Sequence, residues 1–188
     1  MAGRPADTRS VSELVSVVRA GQRPKFLFFW GHQPSASGLL TQTCLSQWWP
    51  ARFVAKGHEF GSAEHYMMWS KAVLFGDADR AKAVLLARSP AQAKTIGRQV
   101  EGFDEAVWVE NRWRIVVDAS VAKFGNDPAL RDYLLSTKHK VLVEASPVDR
   151  IWGIGLSTDS EKAKNPEQWR GLNLLGFALM EARQQLQA

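Results

Sequence analysis

Residues 61–72, GSAEHYMMWSKA, decide how the chain is read. Ser62 is a fitting N-cap for a helix running to about Phe75 and stopping at Gly76. At 100° per residue, Glu64, Met67, Met68, Lys71, Leu74 and Phe75 point one way, and Tyr66, Trp69 and Val73 the other. A helix apolar nearly all round belongs inside a protein, yet this one carries a carboxylate and an ammonium within roughly 20° of each other on its wheel. Burying either charge unpaired costs several kcal/mol. Two readings follow. Glu64 and Lys71 are a solvated surface pair, or they rise from the apolar floor of a pocket, where burial pushes a carboxylate pKa up and a lysine pKa down. Their i,i+7 spacing, about 10 Å along the axis, is too long for the usual helical ion pair.

Working outward, Ser10 and Glu13 form a capping box for a short helix ending near Gly21. The aromatic run 25–32 (KFLFFWGH) and 52–60 (RFVAKGHEF) read as a strand and as a hairpin turning at Lys56-Gly57. Helices are expected from Asp77 or Asp79 through Ala87, from Ser89-Pro90 to Gly97, over 104–124 ending before Gly125, and from Asp127-Pro128 to about Ser136. KVLVEA at 140–145 alternates like a strand. Residues 146–170 are irregular but contain Trp152 and Trp169, which argues for order, and LNLLGFALMEARQQL closes the chain as a helix. The expected fold class is α+β, mostly helical, a single domain with a few short strands. Residues 1–24 are read as an N-terminal helical extension and 25–188 as the domain.

A chain of 188 residues, 45% hydrophobic, can bury a substantial core. A single cysteine, Cys44, forbids an internal disulfide and suits a reducing compartment. With no signal-peptide pattern in MAGRPADTRS and no apolar run of membrane-spanning length, a cytoplasmic protein without membrane contact is expected. The net charge of +5 would suit an anionic ligand or nucleic acid, but the positive charges are dispersed. His32, His58, His65 and His139 show no metal-ligand spacing with one another or with Cys44, so no metal site is expected. Gly153-Ile154-Gly155 is followed by Thr158 where a dinucleotide fingerprint wants glycine, Ser157 lacks a nucleophile-elbow context, and there is no phosphate-binding loop of the Gly-rich Lys-Ser/Thr kind.

A second constellation lies at 145–155, ASPVDRIWGIG. Trp152 stands beside Gly153 and Gly155, where missing side chains let a ligand approach the backbone. On the residues alone the stronger reading is a loop whose tryptophan plugs the core.

In order, Leu45-Ser46-Gln47-Trp48, Ser62-Ala63-Glu64-His65-Tyr66 with Lys71, Ile96-Gly97-Arg98, Lys123-Phe124, Leu142-Val143-Glu144 with Trp152-Gly153, and Asn173-Leu174-Leu175-Gly176 with Met180-Glu181 resemble the NADAR family over about residues 25–186. The resemblance implies a pocket for ribosyl phosphate or ADP-ribose-like ligands. It also implies a metal-independent N-glycosidase without cofactor, acting on ribosylamino-pyrimidine intermediates of riboflavin synthesis or on ADP-ribose attached to guanine. Both substrates hold ribose C1′ to an amine nitrogen. Breaking that bond builds positive charge at C1′ and O4′, which a fixed carboxylate in a dry pocket stabilises. Glu64 is the candidate. A neutral Lys71 could instead attack the open-chain sugar as a Schiff-base nucleophile, and water attack and this covalent route both stay open.

Carried over residue by residue, the resemblance makes Glu64, Lys71 and Asp149 candidate catalytic groups. Arg98 becomes a phosphate clamp, and Trp48 and Trp152 become stacking partners beside Gly153. Glu144, Asp149 and Asn173 become partners for ribose hydroxyls or water, with His65 and Tyr66 supporting them from behind. The expected partner is a phosphorylated ribosyl or ADP-ribosyl small molecule, with ADP-ribosylated nucleic acid as a further reading. A non-catalytic module binding NAD or ADP-ribose is the alternative. Two segments depart from the family: the loop through LSTDSEKAKNPEQWRG and the entrance FLFFWGHQPSASGLL are longer than usual, which makes substrate identity the least transferable implication.

Overall fold

In the computed structural model, which describes residues 3–187, the elements in chain order are α1 (Val11–Arg19), β1 (Phe26–Phe29), β2 (Phe53–Ala55), β3 (His58–Phe60), α2 (Ala63–Leu74), α3 (Ala78–Leu85), α4 (Pro90–Gly97), α5 (Glu105–Asn126), α6 (Pro128–Ser136), β4 (Val141–Glu144) and α7 (Leu174–Gln187). This is the mostly helical α+β architecture expected. Residues up to Ser46 together with those from Asp132 onward form one compact unit, and Gln47–Arg131 form the other.

Capping side chains set the helix starts. Ser10, Ser62, Asp77, Ser89 and Asp104 each accept a hydrogen bond from the main-chain N–H three residues on. The β2–β3 hairpin turns through Lys56 (φ 51°) and Gly57 (φ 78°), the paired left-handed residues that a two-residue turn between twisted strands needs. α3 ends at Leu85 rather than Ala87, and the end of α5 also differs from expectation. α5 does not stop before Gly125 but continues through Asn126, because the stop is supplied by Asp127 ahead of Pro128. The Asp127 carboxylate leaves α5 and accepts from the N–H groups of Ala129 and Leu130 to start α6.

In the Gln47–Arg131 unit, the start of α2 is buried on every side from Ala63 to Met68. Ala63 and Tyr66 pack with Phe53, Phe60 and Ala119, flanked by Trp69, Ile115 and Ala122. This packing brings α2, the hairpin and α5 around one core. Val73, farther along the helix, is exposed. The burial inferred from an all-round apolar pattern thus holds for the first half of α2 and relaxes toward its end.

In the other unit, β1 and β4 pair in parallel, Phe26 with Val141 through Phe29 with Glu144. β4 is apolar at Val141, Leu142 and Val143, all fully buried, as a parallel strand covered on both faces should be. Residues of the N-terminal segment take part in this unit: Leu14 of α1 is fully buried, and Arg9 pairs with Glu181 of α7 at 2.7 Å. Buried Arg183 donates to Thr137 Oγ1 at 2.7 Å and to Lys140 O at 3.0 Å, which ties α7 to the turn leading into β4. Burial lowers its pKa to about 10, so it stays cationic at neutral pH. The stretch 146–170 is ordered by two short 3-10 turns, Glu161–Lys164 and Pro166–Gln168, with Trp169 Nε1 donating to Ala163 O at 2.8 Å. No helix among the described residues is long and apolar enough to cross a membrane.

Candidate active site

The first turn of α2 is held from three directions. The Ser62 hydroxyl accepts from the His65 N–H and lies 2.7 Å from His65 Nδ1, and His65 Nε2 lies 3.2 Å from Ala87 O. A carbonyl only accepts, so Nε2 carries the proton and Nδ1 receives the Ser62 hydroxyl hydrogen. The Glu64 N–H donates to Gln47 O at 3.1 Å. Glu64 itself, in the first turn where the helix dipole favours a carboxylate, is only 3% exposed. The sheltered-carboxylate reading of Glu64 is therefore the one the coordinates support, and the solvated-pair reading is not.

His65 and Tyr66 follow Glu64 in the same buried stretch of α2. Burial lowers the His65 pKa, with the Ala87 hydrogen bond opposing it. Burial, then Asp118, raises the pKa of Tyr66, whose ring lies 5.1 Å from Phe60 and 6.1 Å from Trp69. The folded state thus binds a proton at His65 less readily than the unfolded chain, so its contribution to stability is fully present above the ordinary value of 6.5 and declines below it as the pH falls through the lowered folded-state pKa. The thermal midpoint is expected to fall further between about pH 7 and about pH 5 in the natural protein than in His65→Gln, which keeps a donor but cannot titrate. An equal fall in both proteins would contradict this role.

Lys71 is half-buried. Its Nζ donates to Gly97 O at 2.9 Å, lies 4.2 Å above the Phe103 ring and is 5.9 Å from that of Trp108. Burial lowers its pKa, with Glu105 opposing. The ammonium is thus held at the C-terminal end of α4, where carbonyls attract cations. Trp48 is half-buried with Lys94 Nζ 5.6 Å from its ring. Arg98 is exposed at the C-cap of α4.

The remaining candidates lie in the other unit and knit its loop together. The Asn173 side chain accepts from Glu144 N–H at 3.0 Å and donates to Leu142 O at 2.9 Å, from a left-handed backbone (φ 53°) with no exposure. Its amide is bound to β4, which makes it a pin for the strand before anything else. Asp149 Oδ1 accepts from the N–H groups of Ile151 and Trp152, both at 2.8 Å, shaping the turn that presents half-buried Trp152. At Gly153 a Cβ would lie 2.8 Å from Glu144 O, so glycine is required there for loop and strand to meet.

Two polar groups that sequence reasoning left without a role are buried in the Gln47–Arg131 unit: Gln47 at 6% exposure and Lys123 at 1%. Lys123 follows Ala119 by one turn, and Ala119 packs in the core with Ala63 and Tyr66 of α2. A lysine recurring at the i,i+4 position of an apolar helix face is the signal that marks it.

Known proteins of similar sequence and fold place this chain in a family. The NADAR domain model matches residues 28–187. N-glycosidase R617 of Acanthamoeba polyphaga mimivirus is 38% identical over 168 residues, 87% of this chain and 97% of that protein. The chloroplastic riboflavin biosynthesis protein PYRR of Zea mays is 36% identical over 132 residues, 66% of this chain but 19% of that longer protein. The NMR structure of Escherichia coli YbiA superposes with a TM-score of 0.65 at 25% identity, covering 88% of this chain and 87% of that one. The chain belongs to the NADAR family.

Proposed function

We infer that the protein hydrolyses the bond between ribose C1′ and nitrogen in a phosphoribosyl or ADP-ribosyl small molecule. Family membership and relatives named N-glycosidase make it a hydrolase of N-glycosyl bonds, and the relatives named for riboflavin biosynthesis support a ribosylamino-pyrimidine as the substrate class. The observation that carries the reading is the burial of Glu64. A carboxylate withdrawn from water attracts the oxocarbenium-like charge at C1′ far more strongly than a solvated one. In the direct route Glu64 takes a proton from water, the water oxygen bonds to C1′ as the C1′–N bond breaks, and the leaving nitrogen ends protonated. The Lys71 hydrogen bond to Gly97 O supports this route, since it turns the amine toward α4.

One observation favours a second route: burial lowers the Lys71 pKa and enriches the neutral amine. There Nζ bonds to C1′ as the nitrogen leaves and takes a proton; the C1′–O4′ bond then opens, O4′ taking a proton, to give the open-chain iminium, whose hydrolysis by water releases the sugar and regenerates the amine. Borohydride added during turnover separates the two. The direct route predicts no reduced sugar adduct on lysine, and an adduct on Lys71 establishes the covalent one.

Incubation with a ribosylamino-pyrimidine phosphate and with ADP-ribosylated guanosine, followed by chromatography, is expected to release sugar phosphate or ADP-ribose. Turnover of a free substrate should depend weakly on salt, whereas a nucleic-acid substrate would lose activity steeply as salt rises. Saturable ADP-ribose binding with no release from any of these compounds would mark a binding module instead.

A further inference from the structure

We propose that Gln47 is a ribose-recognition residue that hydrogen-bonds the hydroxyl neighbouring the scissile carbon, an assignment that rests on the reading of Glu64 as the group facing C1′. Three observations converge on it. The Gln47 side chain is 94% buried, being only 6% exposed. Neither its Nε2 nor its Oε1 has a hydrogen-bond partner among the described residues. Its main-chain oxygen accepts from the N–H of Glu64 at 3.1 Å, which fixes the two residues side by side at the mouth of α2.

A glutamine that served packing alone would either turn its amide to solvent or spend it on the backbone, as Asn173 does on Leu142 O and Glu144 N–H. Gln47 does neither. An amide buried in this way is costly unless something outside the chain satisfies it. The amide offers donors on one atom and an acceptor on the other, and a sugar hydroxyl, itself donor and acceptor, complements both. With C1′ set against Glu64, the hydroxyl one bond away is that on C2′, and hydrogen bonds to it strengthen as the oxocarbenium-like state forms.

The test is calorimetric titration of the full-length protein with ribose 5-phosphate and with 2-deoxyribose 5-phosphate. The natural protein is expected to bind the first about tenfold more tightly. Gln47→Met, unbranched and of similar length, should bring the ratio to about one while the thermal midpoint holds, because it removes an unsatisfied buried amide without emptying its space. Gln47→Leu repeats the measurement should the methionine variant not fold. A ratio that survives the substitution, or a natural protein that binds both sugars equally or binds neither, overturns the proposal. Glu64→Gln is expected to keep the ratio while losing turnover. A loss of the Glu64 assignment therefore appears in turnover, and a loss of the Gln47 assignment appears in sugar discrimination.

Discussion

Glu64→Gln is expected to lower kcat by about a thousandfold, or about 4 kcal/mol of transition-state stabilisation. The amide has the shape of the carboxylate, so the helix start, the Ser62–His65 contacts and the Gln47 O to Glu64 N–H hydrogen bond all persist. What disappears is a full negative charge in a place with 3% exposure. In water such a charge acts on a cation at 4 Å with about 1 kcal/mol, and in a partly desolvated site with about four times as much. General-base help to the attacking water is lost with it. Steady-state release of sugar phosphate, with circular dichroism to show a folded variant, measures the effect. A folded variant that turns over at the natural rate removes Glu64 from the chemistry.

The second large effect is structural. Gly176→Ala should destabilise the fold by about 3 kcal/mol, because the added Cβ has nowhere to go. It would lie 2.1 Å from Leu142 O and about as close to the Asn173 amide, at 2.5 Å from Nδ2 and 2.6 Å from Oδ1. Leu142 O belongs to β4 and cannot swing aside as a side-chain tip would, and Asn173 is the pin that bonds the same strand. The variant must therefore push α7 off β4 or break that pin. The melting midpoint should drop by roughly 10 °C in a protein of this size. A midpoint within about 2 °C of the natural protein would show that helix and strand part more easily than the geometry implies.

Much of this fold is written in local chemistry. Ser10, Ser62, Ser89 and Asp77 announce helix starts because a short oxygen-bearing side chain is what an exposed N–H at N3 needs. The Lys56-Gly57 turn is legible because few residues accept two left-handed positions in succession. Gly125 misled, since glycine commonly stops helices, but here the stop signal two residues later is stronger.

The candidate site divides along the same line. Glu64 stands out from its neighbours alone, a charge on a helix with no wet side. The partners of Lys71 and Asn173 do not. Gly97 O is 26 residues from Lys71, and Leu142 O is 31 from Asn173. No helical or strand period connects such positions, so the roles of these side chains emerge only when the chain has folded. Gln47 is the same case in reverse: the sequence pattern includes it without giving it a role, and the burial of its side-chain amide with no partner among the described residues is visible only in three dimensions.

Ribose C1′ meeting the Glu64 carboxylate is the contact on which turnover depends, and a crystal structure of Glu64→Gln with the intact glycoside bound inspects it directly. The account predicts C1′ within about 3.5 Å of the residue-64 side chain, or separated from it by one ordered water. A sugar bound elsewhere, with C1′ out of reach of residue 64, would contradict it.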